Sequence, residues 1–140
     1  MGKKTIARFT TDTATAVPVS ANSNIIFTNA TISTNAIEYN SITGQIYIKC
    51  PGVYMIYTNF TPVATVVGKV NVQMQENGNA APGANASTTL AAVGDSGNLS
   101  FNAVTTVVGT KTINTFATLT FVNTIATSYT VANVIIEKVA

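Results

Sequence analysis

The side chains equipped for chemistry are few in this 140-residue chain: one cysteine, five acidic residues and no histidine. General acid–base work recruits imidazole, paired carboxylates or a metal, whereas Asp12, Glu38, Glu76, Asp95 and Glu137 are widely spread in sequence. Cys50 stands directly before Pro51-Gly52, where a semi-buried structural thiol at a strand end is expected, and no histidine exists to activate it as a nucleophile. Asp95, between Gly94 and Ser96, has the oxygen chemistry of a calcium ligand. A single carboxylate in such a position is ordinary turn chemistry. The expectation is a chain without catalysis, cofactor or metal site.

A function without a reactive centre has to be carried by surfaces, and composition says which elements present them. Charged residues make up 9% of the chain and hydrophobic residues 46%, with Thr, Asn, Ala, Ser and Gly dominating the remainder. That balance suits strands and turns over helices. A lone cysteine permits no intrachain disulfide. The net charge of +2 comes from scattered lysines and one arginine, apart from Lys3 and Lys4, so no stripe tracks a phosphate backbone and no nucleic-acid partner is expected. No run approaches the roughly 20 apolar residues of a membrane-spanning helix. Residues 6–10 interrupt any apolar leader, so the product is expected to begin in a cytoplasm. By length the chain reads as one domain over residues 1–140, with a short tail over about residues 1–5.

Alternation locates the strands. Val70 to Glu76 alternates apolar and polar and ends in Asn77-Gly78, the dipeptide of a type I′ hairpin turn. Short β-prone pieces are expected at residues 6–10 and 16–19, at Ile25 to Thr28, and loosely from Thr31 to Tyr39. Pro82-Gly83 predicts a type II turn. Leu99, Phe101 and Ala103 share one parity, and so do Ile113, Thr115, Ala117, Leu119 and Phe121. Two segments are apolar on both parities: Val53 to Phe60, and Val134-Ile135-Ile136 near the C-terminus. A strand written this way needs cover on both faces, one from an opposing sheet and one from a second body.

Thr43 to Tyr57 joins two apolar runs across Pro51-Gly52, and reads as a strand pair with the order Thr-Gly, alternating run, turn, Gly-x-Tyr. This order resembles the C1q and tumour-necrosis-factor-like superfamily. Phe27-Thr28-Asn29, the strand ending in Asn77-Gly78, the Gly94-Asp95 turn and the apolar last strand extend the resemblance over nearly the whole chain, in the texture of bacterial and bacteriophage members. The resemblance implies an all-β, ten-stranded jelly-roll sandwich assembled as a homotrimer, with the termini near one end and loops displayed at the other. The doubly apolar strands then place Tyr57, Phe60, Ile135 and Val139 near the subunit contact.

The functional expectation is a virion structural protein, a trimeric capsid decoration or fibre-head module of a bacteriophage, acting by multivalent adhesion. Loops over residues 77–85 and 94–98, with Asn77, Asn79, Asn85, Asp95 and Asn98, are the expected meeting points with glycan. Lys3 and Lys4 are the expected anchor to capsid or tail proteins. The alternative is a bacterial surface or spore-coat display domain binding glycan or protein. A soluble ligand of the tumour-necrosis-factor kind is a third class, disfavoured by the absent secretion signal.

Overall fold

The computed structural model describes residues 4–108 and 117–140. Lys3, Ile113 and Thr115 lie outside them. Among the described residues the regular elements are all strands: β1 (Ile6–Val19), β2 (Ser23–Asn24), β3 (Asn29–Ile32), β4 (Ile37–Tyr39), β5 (Ile46–Ile48), β6 (Gly52–Ala64), β7 (Gly68–Glu76), β8 (Asn79–Leu90), β9 (Asn102–Val107), β10 (Ala117–Asn123) and β11 (Thr127–Lys138). One sheet has the order β3-β1-β11-β6-β9 and the other β4-β5-β10-β7-β8, with the two-residue β2 added against β10. The expected ten-stranded sandwich is these two five-strand paths.

Strand alternation builds the core. Phe9, Tyr54, Ile56, Val134 and Ile136 face inward from the first sheet, and Ile46, Ile48, Val70, Val72, Leu119 and Phe121 from the second, all without solvent exposure. Aromatic rings bridge the layers: Phe121 is tilted against Phe60 of the opposite sheet at 6.1 Å and lies edge-on to Phe27 at 6.2 Å, while within the first sheet Phe60 meets Tyr129 at 6.1 Å. Each such pair adds about 0.5–1.5 kcal/mol beyond its area burial.

Several local expectations change in the fold. The two pieces expected at residues 6–10 and 16–19 form one strand, whose register against β11 shifts between Asp12 and Val17. Thr13 Oγ1 donates to the Thr15 carbonyl at 2.6 Å within that irregularity. Ile25 to Thr28 is not a strand. Its anchors are Ile25 N–H to the Phe121 carbonyl at 2.7 Å and Phe27 N–H to the Tyr39 hydroxyl at 2.7 Å. Asn77 and Gly78 have the positive φ values, 54° and 83°, of the expected hairpin turn. Pro82-Gly83 has the positive φ that the expected turn needs, 75° at Gly83, but it lies inside β8 and not between two strands. Residues 81–84 bulge out of β8 where its register against β7 shifts, and Gln73 Nε2 donates to the Ala81 and Ala84 carbonyls at 2.9 and 3.2 Å.

The runs flanking Pro51-Gly52 also do not pair. β5 sits in one sheet and β6 in the other, so residues 49–51 carry the chain across the sandwich. Gly52 is required there: its φ is 153°, and an added Cβ would stand 2.6 Å from the Ala140 carbonyl oxygen. Gly52→Ala is expected to lower stability by about 1–3 kcal/mol in urea unfolding, and an unchanged midpoint would show that the C-terminal backbone yields freely.

The connections sort to two ends. At one end meet Thr5, Ala140, residues 49–51 and the Asn77-Gly78 turn, as shown by Lys138 N–H to the Thr5 carbonyl, Val53 N–H to the Ala140 carbonyl and Asn77 N–H to the Thr118 carbonyl. The opposite end carries residues 65–67, 91–98 and 124–126, with Ala64 N–H donating to the Asp95 carbonyl at 2.8 Å.

Candidate functional site

The outward face of the β3-β1-β11-β6-β9 sheet is an organised surface whose chemistry departs from a solvated one. Cross-strand register sets its rows: Arg8, Ile135, Tyr57 and Asn102 in one, Ile6, Glu137, Met55 and Val104 in the next. Tyr57 is 39% exposed at the middle of the first row and Val104 59% exposed at the margin of the second. Val139 continues the outward parity of β11 and donates its N–H to the Val53 carbonyl at 2.8 Å. Thr10, Asn133 and Asn59 form a polar row beside these. Asn133 Oδ1 is shielded from solvent and has no hydrogen-bond partner. Among the described residues neither Arg8 nor Asp12, both on the outward parity of β1, has an ion-pair partner.

Of the four residues expected at a subunit contact, Tyr57, Ile135 and Val139 share this face. Phe60 does not. It is 0% exposed, its ring among Phe101, Phe121 and Tyr129 in the sandwich core. The cause is parity: residues 57 and 60 are separated by an odd number of positions, so their side chains leave opposite faces of β6.

The expected display loops do not converge. Asn77 and Asn79 lie at the end shared with the termini, Asp95 and Asn98 at the opposite end, and Asn85 midway along the edge strand β8. Three of their side chains are used internally. Asn77 Oδ1 accepts from Thr118 N–H at 2.9 Å, Asp95 Oδ2 accepts from Ala92 N–H at 3.1 Å, and Asn98 Oδ1 accepts from the Thr61 hydroxyl at 3.1 Å. The Asp95 carboxylate is thus committed to its own turn. Lys4 is no free tail either, since its ammonium lies 3.2 Å from Glu137 and Thr5 is buried. Cys50, expected semi-buried, is exposed.

The end opposite the termini is less polar than the loops there implied. Ile42, Val66, Val67 and Val93 are exposed in connections of that end, Val93 at 68%. A groove of about 600 Å³ lies nearby, lined by Val17, Pro18, Val19 and Ile26 with Ser23 and Asn24. A second groove, about 540 Å³, separates the edge strands β8 and β9, with Glu76 accepting from the Thr105 hydroxyl and Asn79 and Asn102 on its walls. The first is built almost wholly from residues 17–28, whereas the second joins residues 74–84 to 102–105, which only the topology brings together.

Burial raises the Tyr39 hydroxyl, and burial, with a smaller contribution from the Cys50 thiolate, pushes Tyr54 up to about 12. Tyr54 donates to the Cys50 carbonyl at 2.7 Å. Among the described residues no three His, Cys, Asp or Glu side chains cluster as metal ligands would.

No protein-family model and no curated protein matches the sequence. Solved structures match the architecture. The globular domain of zebrafish complement 1qA protein superposes with a TM-score of 0.70 at 11% identity, covering 99% of this chain and 98% of that one. The fold is the C1q/TNF-like jelly roll. Eiger TNF from S. frugiperda gives a TM-score of 0.71 at 11% identity over 99% of this chain and 94% of its own. The PRD1 vertex protein P5 gives 0.60 at 15% identity, with 100% of both chains covered. The jelly roll is therefore shared with a complement protein, a TNF and a vertex protein, and the fold alone does not choose among their roles.

Proposed function

We propose that this jelly roll is a non-enzymatic virion structural protein, a three-copy capsid decoration or fibre-head module of a bacteriophage that displays one end for adhesion. The observation that carries the proposal is the outward sheet face, where Tyr57, Ile135, Met55 and Val104 form a half-exposed apolar field on strands whose other face already fills the core. Apolar fields of this kind on a sheet mark protein contacts. Arg8 and Asp12, at different heights on β1, suit a contact in which neighbouring copies meet through different patches, as rotational closure requires. Likeness to the PRD1 vertex protein P5 supports placement on a particle.

The reading orients the module. The terminal end, with Lys4 and the sequence-adjacent Lys3 that lies outside the described residues, is the attachment side, and the opposite end, with Val66, Val67, Val93, Asp95 and Asn98, is the displayed side. Asn77 and Asn79 belong with attachment in this arrangement. Three displayed ends multiply weak contacts into avidity. The test has two parts. Native mass spectrometry is expected to give three times the 14.6 kDa chain mass at micromolar concentration, persisting after dilution to nanomolar. An antibody to the protein is expected to label purified particles. A monomer in solution, or particles free of the protein, would overturn the corresponding half of the proposal.

A further inference from the structure

Three of the buried polar atoms without a hydrogen-bond partner among the described residues belong to side chains at or just beyond the β10–β11 connection: Asn123 Oδ1, Thr127 Oγ1 and Tyr129 OH. Asn123 ends β10 in one sheet and Thr127 opens β11 in the other, so residues 124–126 fold the chain over a corner of the sandwich. All three side chains are sealed, Tyr129 at 1% exposure. Their backbones are walled by β1 and β2 through the pairs Val17 with Tyr129, Val19 with Thr127, and Ser23 with Asn123.

The orientation of the Asn123 amide is fixed by its neighbours. Nδ2 donates to the Ser20 carbonyl at 2.9 Å and to the Ile125 carbonyl at 3.0 Å, and a flipped amide would lose both bonds. Oδ1 therefore faces a region where the described residues offer it no donor. Thr127 and Tyr129 each bring a hydroxyl that donates and accepts. Leaving such groups dry costs free energy for every one of them, and native interiors avoid it.

We infer that this corner is a binding site for a single buried water that bridges Asn123 Oδ1, Thr127 Oγ1 and Tyr129 OH. Water matches the inventory: it donates to the Asn123 carbonyl oxygen and the Thr127 hydroxyl oxygen while accepting from the Tyr129 hydroxyl, three bonds being typical of interior waters. A divalent cation does not match, because none of the three groups is a carboxylate. Burial also raises the Tyr129 hydroxyl above its ordinary pKa, keeping it protonated as a donor. The water ties the end of β10 to the start of β11.

The sign of a stability change tests the site. If the hydroxyls are water-bonded, Tyr129→Phe and Thr127→Val each lower Tm by about 3–5 °C, and the double variant loses less than the two shifts together. If the corner is dry, removing an unpartnered hydroxyl relieves a desolvation penalty and Tm rises or stays level, which overturns the inference. Should a variant fail to fold, NMR on the unaltered protein decides. Cross-relaxation from a long-lived water to the Thr127 methyl group is expected, and its absence in an assigned spectrum overturns the site.

Discussion

Tyr57→Asp is expected to take the proposed three-copy assembly apart while leaving each subunit folded. Tyr57 stands between Ile135 and Asn102 on the outward face, so a subunit placed over it would put the new carboxylate against apolar side chains and out of water. An unpaired buried charge costs several kcal/mol, and a closed three-copy assembly would bear that cost at every contact. The substitution leaves the sandwich interior untouched, because residue 57 contributes nothing to it. Native mass should fall to one chain, with the circular dichroism of a β-sandwich retained. An unchanged three-chain mass would remove Tyr57 from the contact and with it the assembly face proposed here.

Phe60→Ala is the complementary case, three residues away on the same strand. The ring is wholly buried, stacked on Phe101 at 6.4 Å and tilted against Phe121. Truncating a phenylalanine in such a place costs about 3–5 kcal/mol, the lost transfer energy plus the cavity left between two sheets that cannot close on it. Against a total of about 5–15 kcal/mol for a typical domain, that is a large share. Urea unfolding should show the loss in the midpoint with little change in slope. A loss below about 1 kcal/mol would mean that the aromatic bridge between the sheets is not a principal stabilising element. Taken together, the two variants separate assembly from folding on adjacent turns of the same pleat.

Phe60 also illustrates what was legible before the structure. The parity of β6 was readable, with residues 53, 55 and 57 on one face and 54, 56 and 60 on the other, because side-chain direction in a strand is a local property with a period of two. Which face meets the opposing sheet is a non-local property, and a strand apolar on both parities carries no internal sign of it. The Asn77-Gly78 turn was readable for the same local reason, since positive φ at both positions selects those residues. Pro82-Gly83 has equally strong turn chemistry, yet its outcome was decided by the pairing of β8 with β7 on both sides of it. The crossing of Pro51-Gly52 between sheets was hidden likewise, as a short turn-forming link serves a hairpin or a crossover. The candidate surfaces suffered most. Asn77 and Asp95 are both in polar turns, and only the order of strands in the two sheets assigns them to opposite ends.

The bulge at residues 81–84 of β8 has a bearing on solubility. β8 closes one edge of its sheet, and an edge strand offers unpaired N–H and C=O groups to any passing chain. This protein has little charge to repel its own copies, with 9% charged residues and a net charge of +2. Pro82 withholds a donor from that edge, and the looped-out backbone around it breaks the straight ladder that strand addition requires. Crowding of many copies on a particle would favour edge-to-edge fusion of sheets, and one irregular edge lets such a weakly charged protein be packed densely without coalescing into fibrils.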